Sequence, residues 1–184
     1  EPTIWLQAVH RRRLHAALLD AAAGAQLLTG ATVNSVDPGT PGGPRARVTY
    51  RTDAGEHTVD SDLVIGADGL RSTVRTALFP QSRPRYGGAT SWRAVVDDTE
   101  HVDDRYIAAW GPGAEFGALR ISPAQVYWYG YFVHPEGAAF DDELHAARVM
   151  FADWPAWVTD TLAATTPDRL TRHDVYHLAN GPAT

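Results

Sequence analysis

A three-residue apolar run, Leu63-Val64-Ile65, breaks off into Gly66-Ala67-Asp68-Gly69, and Ser72 follows where a helix would begin. An apolar run without alternation marks a strand buried on both faces, as in parallel α/β sheets. Such a strand delivers whatever follows it to its carboxyl end, where ligands of open α/β sheets collect. Gly66 and Gly69 lack side chains, so a ligand's backbone-sized groups can come close there. Asp68 adds an acceptor-only carboxylate suited to a polyol or ribose hydroxyl. The alternative use of that carboxylate is to cap the turn itself. Ser72 is placed to cap a helix reaching to about residue 79.

The rest of the chain organises around this corner. Residues 1–9 read as extended and lead into a helix over 11–23. There Leu14, Ala17, Leu18 and Ala21 recur at helical spacing, and Gly24 stands where a C-terminal cap would. Short strands are predicted at 27–28, 31–36, 47–52 and 57–60, with a Pro/Gly-punctuated loop over 37–44 and a hairpin turn at 53–56. Beyond Pro80 the texture changes. Aromatic and β-branched runs at 89–96, 106–110, 116–121 and 126–133 are separated by turns, then come helices over 143–151 and 154–164 and an extended piece over 170–178. Consecutive strands with short turns predict antiparallel pairing, with helices on one side.

Composition narrows the chemistry. The 184 residues contain no cysteine, which excludes disulfide scaffolds, thiolate metal sites and cysteine nucleophiles. All 16 basic residues are arginine, so no Schiff base or P-loop lysine is available within the chain. A net charge of −6 offers no basic field for nucleic acid or an anionic membrane. No apolar run reaches the roughly 18 residues of a membrane span. The chain starts at Glu1 without an initiator methionine and ends Gly181-Pro182-Ala183-Thr184, and is read as an interior piece of a longer cytoplasmic chain.

The string from Gly66 to Arg75 resembles the Gly-Ala-Asp-Gly-x-x-Ser-x-x-Arg fingerprint of FAD-dependent monooxygenases of the para-hydroxybenzoate hydroxylase type. The resemblance implies that Asp68 and Gly69 lie against FAD, in a motif also implicated in NAD(P)H binding. Upstream, His10-Arg11-Arg12-Arg13-Leu14 with Leu18 resembles the family's His-Arg-x-x-Leu-x-x-x-Leu helix, and Leu14 sets the register so that Arg11 is the residue expected at the FAD phosphates and ribose. Arg12 and Arg13 read as a solvated face. Residues 27–36 resemble the strand whose backbone meets the adenine ring, which points to Val33. A looser likeness runs to about residue 178.

The expected fold class is therefore α/β of the α+β kind. Residues 1–80 are expected to form part of a Gly-x-Gly-x-x-Gly-type FAD-binding domain, and 81–178 a mostly antiparallel substrate-binding sheet with helices on one side. Residues 179–184 are expected to begin the return to the first domain. The family's Gly-x-Gly-x-x-Gly segment is expected before residue 1 and its Gly-Asp segment after residue 184. Gly111-Pro112-Gly113-Ala114-Glu115-Phe116-Gly117 only mimics the former, because its last glycine is one position late and Pro112 removes an N–H.

What the resemblance implies for activity is hydroxylation of a small aromatic or polyketide-like compound, with FAD as cofactor, NAD(P)H as co-substrate and O2 as oxidant. The alternatives are a flavin halogenase, an epoxidase or a reductase on the same scaffold, or a binding domain that has lost FAD. No acid or base is singled out as catalytic. Tyr127 and Tyr129 share one face of a strand, and with Arg120 on the preceding strand they are the candidate substrate-binding residues. Core packing accounts for the two tyrosines equally well, and a surface role accounts for Arg120. His173 and His177 fall on an extended segment, where four residues span about 13 Å, so no metal site is expected. Asp97-Asp98, Asp103-Asp104 and Asp141-Asp142 are expected at turns or before a helix.

Overall fold

The computed structural model describes residues 8–97, 100, 102 and 105–178. The readings made at residues 1–7, Asp98, Asp103, Asp104 and 179–184 lie outside the described residues. The chain divides into two compact units, one of 24–85 with the end of the chain, the other of the N-terminal segment with Tyr86–Val175.

In the first unit β1 (Thr32–Asp37), β2 (Ala46–Thr52) and β3 (Gly55–Ser61) form an antiparallel sheet in the order β1-β2-β3. Thr52 faces Gly55 across a two-residue turn at Asp53-Ala54, the shortest hairpin connection. Arg47 and Asp60 face each other across β2 and β3 and make a two-pronged ion pair on the exposed side. The helix α2 (Thr73–Leu78) packs against β1, and Ser72 caps it by accepting from the Arg75 N–H at 2.9 Å.

Two predicted strands are corrected. Leu27-Leu28 and Leu63-Val64-Ile65 are irregular, and Leu63 and Ile65 are 74% and 80% exposed. A strand exists only where a neighbour completes its hydrogen-bond ladder, and no strand among the described residues pairs with either segment.

The second unit holds a five-stranded sheet in the order β5-β6-β7-β4-β8. Its strands are β4 (Pro84–Asp97), β5 (Ile107–Gly111), β6 (Ala114–Ser122), β7 (Gln125–Val133) and β8 (Thr171–Leu178). The pairs β5–β6, β6–β7 and β4–β7 are antiparallel, as the short turns predict. Gly111–Ala114 is the turn joining β5 to β6, so the glycine-rich mimic is a strand connection.

Alternation sorts the sheet into two faces. On one, Trp92, Ala94, Phe116, Ala118, Val126, Trp128 and Phe132 meet Ala147, Phe151, Val158 and Leu162 from the helical layer in a single buried core. That layer is built from α3 (Glu143–Met150) and α4 (Ala156–Ala163). Phe116 and Trp128 stack at 5.0 Å. The buried indole N–H groups are satisfied, Trp128 donating to Thr165 at 2.9 Å and Trp92 to Glu143 at 2.6 Å. The fold is thus a mixture of antiparallel sheets and few helices, as the fold class anticipated.

The remaining helix, α1 (Arg11–Ala21), buries none of its residues. It ends earlier than predicted, because Ala22 rather than Gly24 closes it, donating its N–H to the carbonyls of Leu18 and Leu19. His10 is its N-cap, with the ring accepting from the Arg12 N–H at 3.2 Å.

Candidate functional site

The corner from Gly66 to Arg75 is held by its own side chains. The Asp68 carboxylate accepts from the Ser72 hydroxyl, from the Thr73 N–H at 2.7 Å and from the Val74 N–H at 3.2 Å. These donors, Ser72 first, hold its pKa below the ordinary aspartate value against a smaller opposing effect of burial. Asp68 therefore performs the capping role that was one of its two sequence readings. Arg75 reaches back to the same loop and donates to the carbonyls of Gly69 at 3.2 Å and Leu70 at 2.7 Å.

The two glycines have different reasons. Gly69 has φ +76°, a left-handed conformation open to glycine, and a side chain there would meet nothing within 4 Å. Its backbone is bare to an incoming ligand. At Gly66 a Cβ would come within 2.7 Å of the Val74 Cβ, so that glycine serves helix packing rather than ligand approach. This corrects the shared reading of the pair.

Val33 lies on β1 opposite Tyr50, beside a register shift between Val33 and Ser35, and its side chain is 37% exposed. A cleft of about 300 Å³ opens between β1 and α2, lined by Asn34, Ser35, Arg71, Thr73 and Thr76 among others. Val33, Asp68 and Gly69 thus belong to one unit, while Arg11, the first residue of α1 and exposed, belongs to the other.

In the sheet unit, the face turned away from α3 and α4 carries Tyr127, Tyr129 and Tyr131 in a row along β7, all half-buried. Arg93 stands directly across from Tyr129, and Gly117 flanks the same tyrosine from β6. Burial raises the pKa of Tyr127, and the Arg93 guanidinium, hydrogen-bonded to it, works in the opposite direction. Burial also raises the pKa of Tyr129, reinforced by Glu115 and Tyr106. Both phenols are neutral hydrogen-bonding groups at ordinary pH.

Arg120 is a correction. It sits at the β6–β7 turn and donates to the carbonyls of Pro123 at 3.1 Å and Val102 at 2.7 Å. Its position on β6 has the parity of Phe116 and Ala118, the core side, so it does not share the tyrosine face. The cation that does is Arg93, exposed and without a carboxylate partner among the described residues. Alternation could have singled it out only once the β4–β7 register was known. His173 and His177 stand on β8, and no group of three or more metal-ligating side chains occurs among the described residues.

One unit thus carries a bare-backbone glycine loop clamped at a helix start, and the other an aromatic sheet face. The chain belongs to the family described as an FAD binding domain, which matches residues 6–176. It is 34% identical over 170 residues to the aurachin C monooxygenase/isomerase of Stigmatella aurantiaca, covering 91% of this chain and 43% of that protein. It is 36% identical over 124 residues to the 2-heptyl-3-hydroxy-4(1H)-quinolone synthase of Pseudomonas aeruginosa, covering 66% of this chain and 30% of the relative. Among solved structures, HpxO of Klebsiella pneumoniae complexed with FAD and uric acid superposes with a TM-score of 0.79 at 22% identity, over 91% of this chain and 43% of that one. The chain spans less than half the length of the curated relatives it matches. No helix among the described residues is long and apolar enough to cross a membrane.

Proposed function

We propose that the protein to which this chain belongs is an FAD-dependent monooxygenase that uses NAD(P)H and O2 to hydroxylate a small, planar aromatic substrate. Family membership supports the cofactor. The tyrosine face of the sheet, with Arg93 among its phenols and no carboxylate paired to it among the described residues, is the observation that carries the substrate class. Aromatic rings stack on such a surface, and a guanidinium beside them takes a carbonyl or phenolate oxygen. The name of one relative, a 2-heptyl-3-hydroxy-4(1H)-quinolone synthase, supports a two-ring heteroaromatic over a single phenol.

Taken unit by unit, the residues present are of the kinds that FAD takes. In one unit Gly69 offers bare backbone and Val33 a strand edge suited to the adenine ring. In the other, Arg11 is an exposed guanidinium at a helix start, suited to phosphate. Asp68 and Arg75 act by holding the Gly69 backbone in place from both sides. Bound FAD supplies the redox chemistry with NAD(P)H and O2. The chain's own side chains position the ring: Arg93 and Tyr127 hold an acceptor oxygen, and Tyr129 lies against the ring plane. A cytoplasmic location, where NAD(P)H is at hand, goes with this reading.

The test is the full-length, flavin-loaded protein in an oxygen electrode, with NADH or NADPH and a panel of quinolones and phenols. A substrate that raises both NAD(P)H oxidation and O2 uptake is expected. If no compound stimulates either, the monooxygenase reading fails.

A further inference from the structure

One cluster on the tyrosine face is not accounted for by Arg93. Glu115, half-buried on β6, receives the Tyr129 hydroxyl on Oε1, and the Tyr106 hydroxyl lies 3.4 Å from the same oxygen and 2.5 Å from that of Tyr129. Tyr129 reaches it because residue 117 is glycine: a Cβ there would come within 2.4 Å of the tyrosine ring edge. Glu115 makes no ion pair among the described residues. Across the strand from it stands Trp110, 72% exposed.

The hydrogen-bond count is unequal. Both hydroxyl donors are consumed within the cluster, whereas an ionised carboxylate has acceptor sites on two oxygens. Oε2 has no partner among the described residues, so the cluster has spare acceptor capacity and no spare donor. A half-buried carboxylate oxygen with aromatic rings beside it, and no cation among the described residues, is open to a donor from water or from a ligand. Arg93, two strands away and two residues along, roughly 12 Å by strand spacing, supplies the opposite pole. Between the two lies the Tyr129 ring.

We propose that Glu115 is a specificity-determining residue that accepts a hydrogen bond from the ring N–H of a planar heteroaromatic substrate, with Tyr106, Tyr129 and Gly117 as positioning residues that aim its carboxylate. The assignment rests on the monooxygenase reading for the identity of the ligand as substrate. It predicts that the substrate carries its donor and its acceptor oxygen on opposite edges of the ring system, so that one faces Glu115 and the other Arg93.

The experiment is calorimetric titration of the FAD-loaded full-length protein with 4(1H)-quinolone and with its N-methyl derivative, which lacks the donor. Wild type should bind the N–H compound on the order of 10- to 150-fold more tightly, the range for a hydrogen bond to a charged group. Glu115→Leu should erase that preference by weakening the N–H compound alone. Glu115→Gln keeps an acceptor and the tyrosine partners, so it should retain part of the preference and guards against a folding defect in the leucine variant. Equal affinities in wild type, absence of binding by either compound, or a preference that survives Glu115→Leu would overturn the assignment. NAD(P)H oxidation recorded on the same samples separates the two levels. Oxidation without an N–H preference defeats Glu115 alone, and an N–H preference lost in Glu115→Leu without oxidation defeats the monooxygenase reading alone.

Discussion

Replacing Asp68 with alanine removes three hydrogen bonds from the start of α2, those from the Ser72 hydroxyl, the Thr73 N–H and the Val74 N–H. Loss of a helix cap costs about 0.5–2 kcal/mol. Ser72 still caps the Arg75 N–H, which keeps the loss within that range rather than beyond it. A local loss of 1–2 kcal/mol corresponds to roughly a 5- to 30-fold rise in the open population. The reporters are the amides of Thr76 and Phe79, which bond to the carbonyls of Ser72 and Arg75 inside the helix. In native-state hydrogen exchange at neutral pH both should exchange faster by that factor in Asp68→Ala. Fluorescence of the buried Trp92 and Trp128, which belong to the other unit, should unfold at an unchanged urea concentration. The sign of the pH dependence follows from the lowered pKa. Stability from a depressed carboxylate is present above its unfolded pKa of about 3.9 and is lost as pH falls through the folded value. Wild type and variant should therefore converge as pH falls through the lowered folded-state pKa of Asp68. Unchanged exchange at Thr76 and Phe79, or a gap that persists undiminished in acid, would refute the cap as the source of the corner's rigidity.

Gly66→Ala should destabilise the same corner by about 1–3 kcal/mol through overlap with Val74, and Val74→Ala in the same chain should recover part of it, as read by urea unfolding. Thr165→Val leaves the fully buried Trp128 indole N–H without its acceptor and should cost about 1–3 kcal/mol, seen as a lower urea midpoint in tryptophan fluorescence. Arg11→Ala in the full-length protein should weaken FAD binding roughly 10- to 150-fold in a flavin-fluorescence titration, while Arg12→Ala and Arg13→Ala change it little. Equal losses at all three arginines would mean that α1 meets the cofactor in a different register.

Local physics made much of the chain readable. The period of Leu14 and Leu18 marked α1, the alternation of Val126, Trp128, Gly130 and Phe132 marked β7, and Ser72 announced the start of α2 because a hydroxyl that satisfies a free N–H is a short-range signal. The helical layer over one side of the antiparallel sheet followed from strand order and turn length. Family membership was legible for a related reason: the run from Gly66 to Arg75 is a contiguous string whose residues act on one another, Asp68 on Ser72 and Arg75 on Gly69.

What the tertiary structure decided was everything that depends on a distant partner. Leu63-Val64-Ile65 has the composition of a buried strand, yet no described strand pairs with it, and hydrogen-bond ladders are not encoded in one segment. The choice between Arg120 and Arg93 turned on register: the pairing of Arg93 with Tyr129 places its guanidinium on the tyrosine face, while Arg120 is drawn to the carbonyls of Val102 and Pro123. Glu115, Tyr106 and Tyr129 lie on separate strands and loops, and Gly117 mattered only once the Tyr129 ring was seen to cross it. A residue's own sequence sets which of two faces it can occupy, but the strand beside it decides what that face contains.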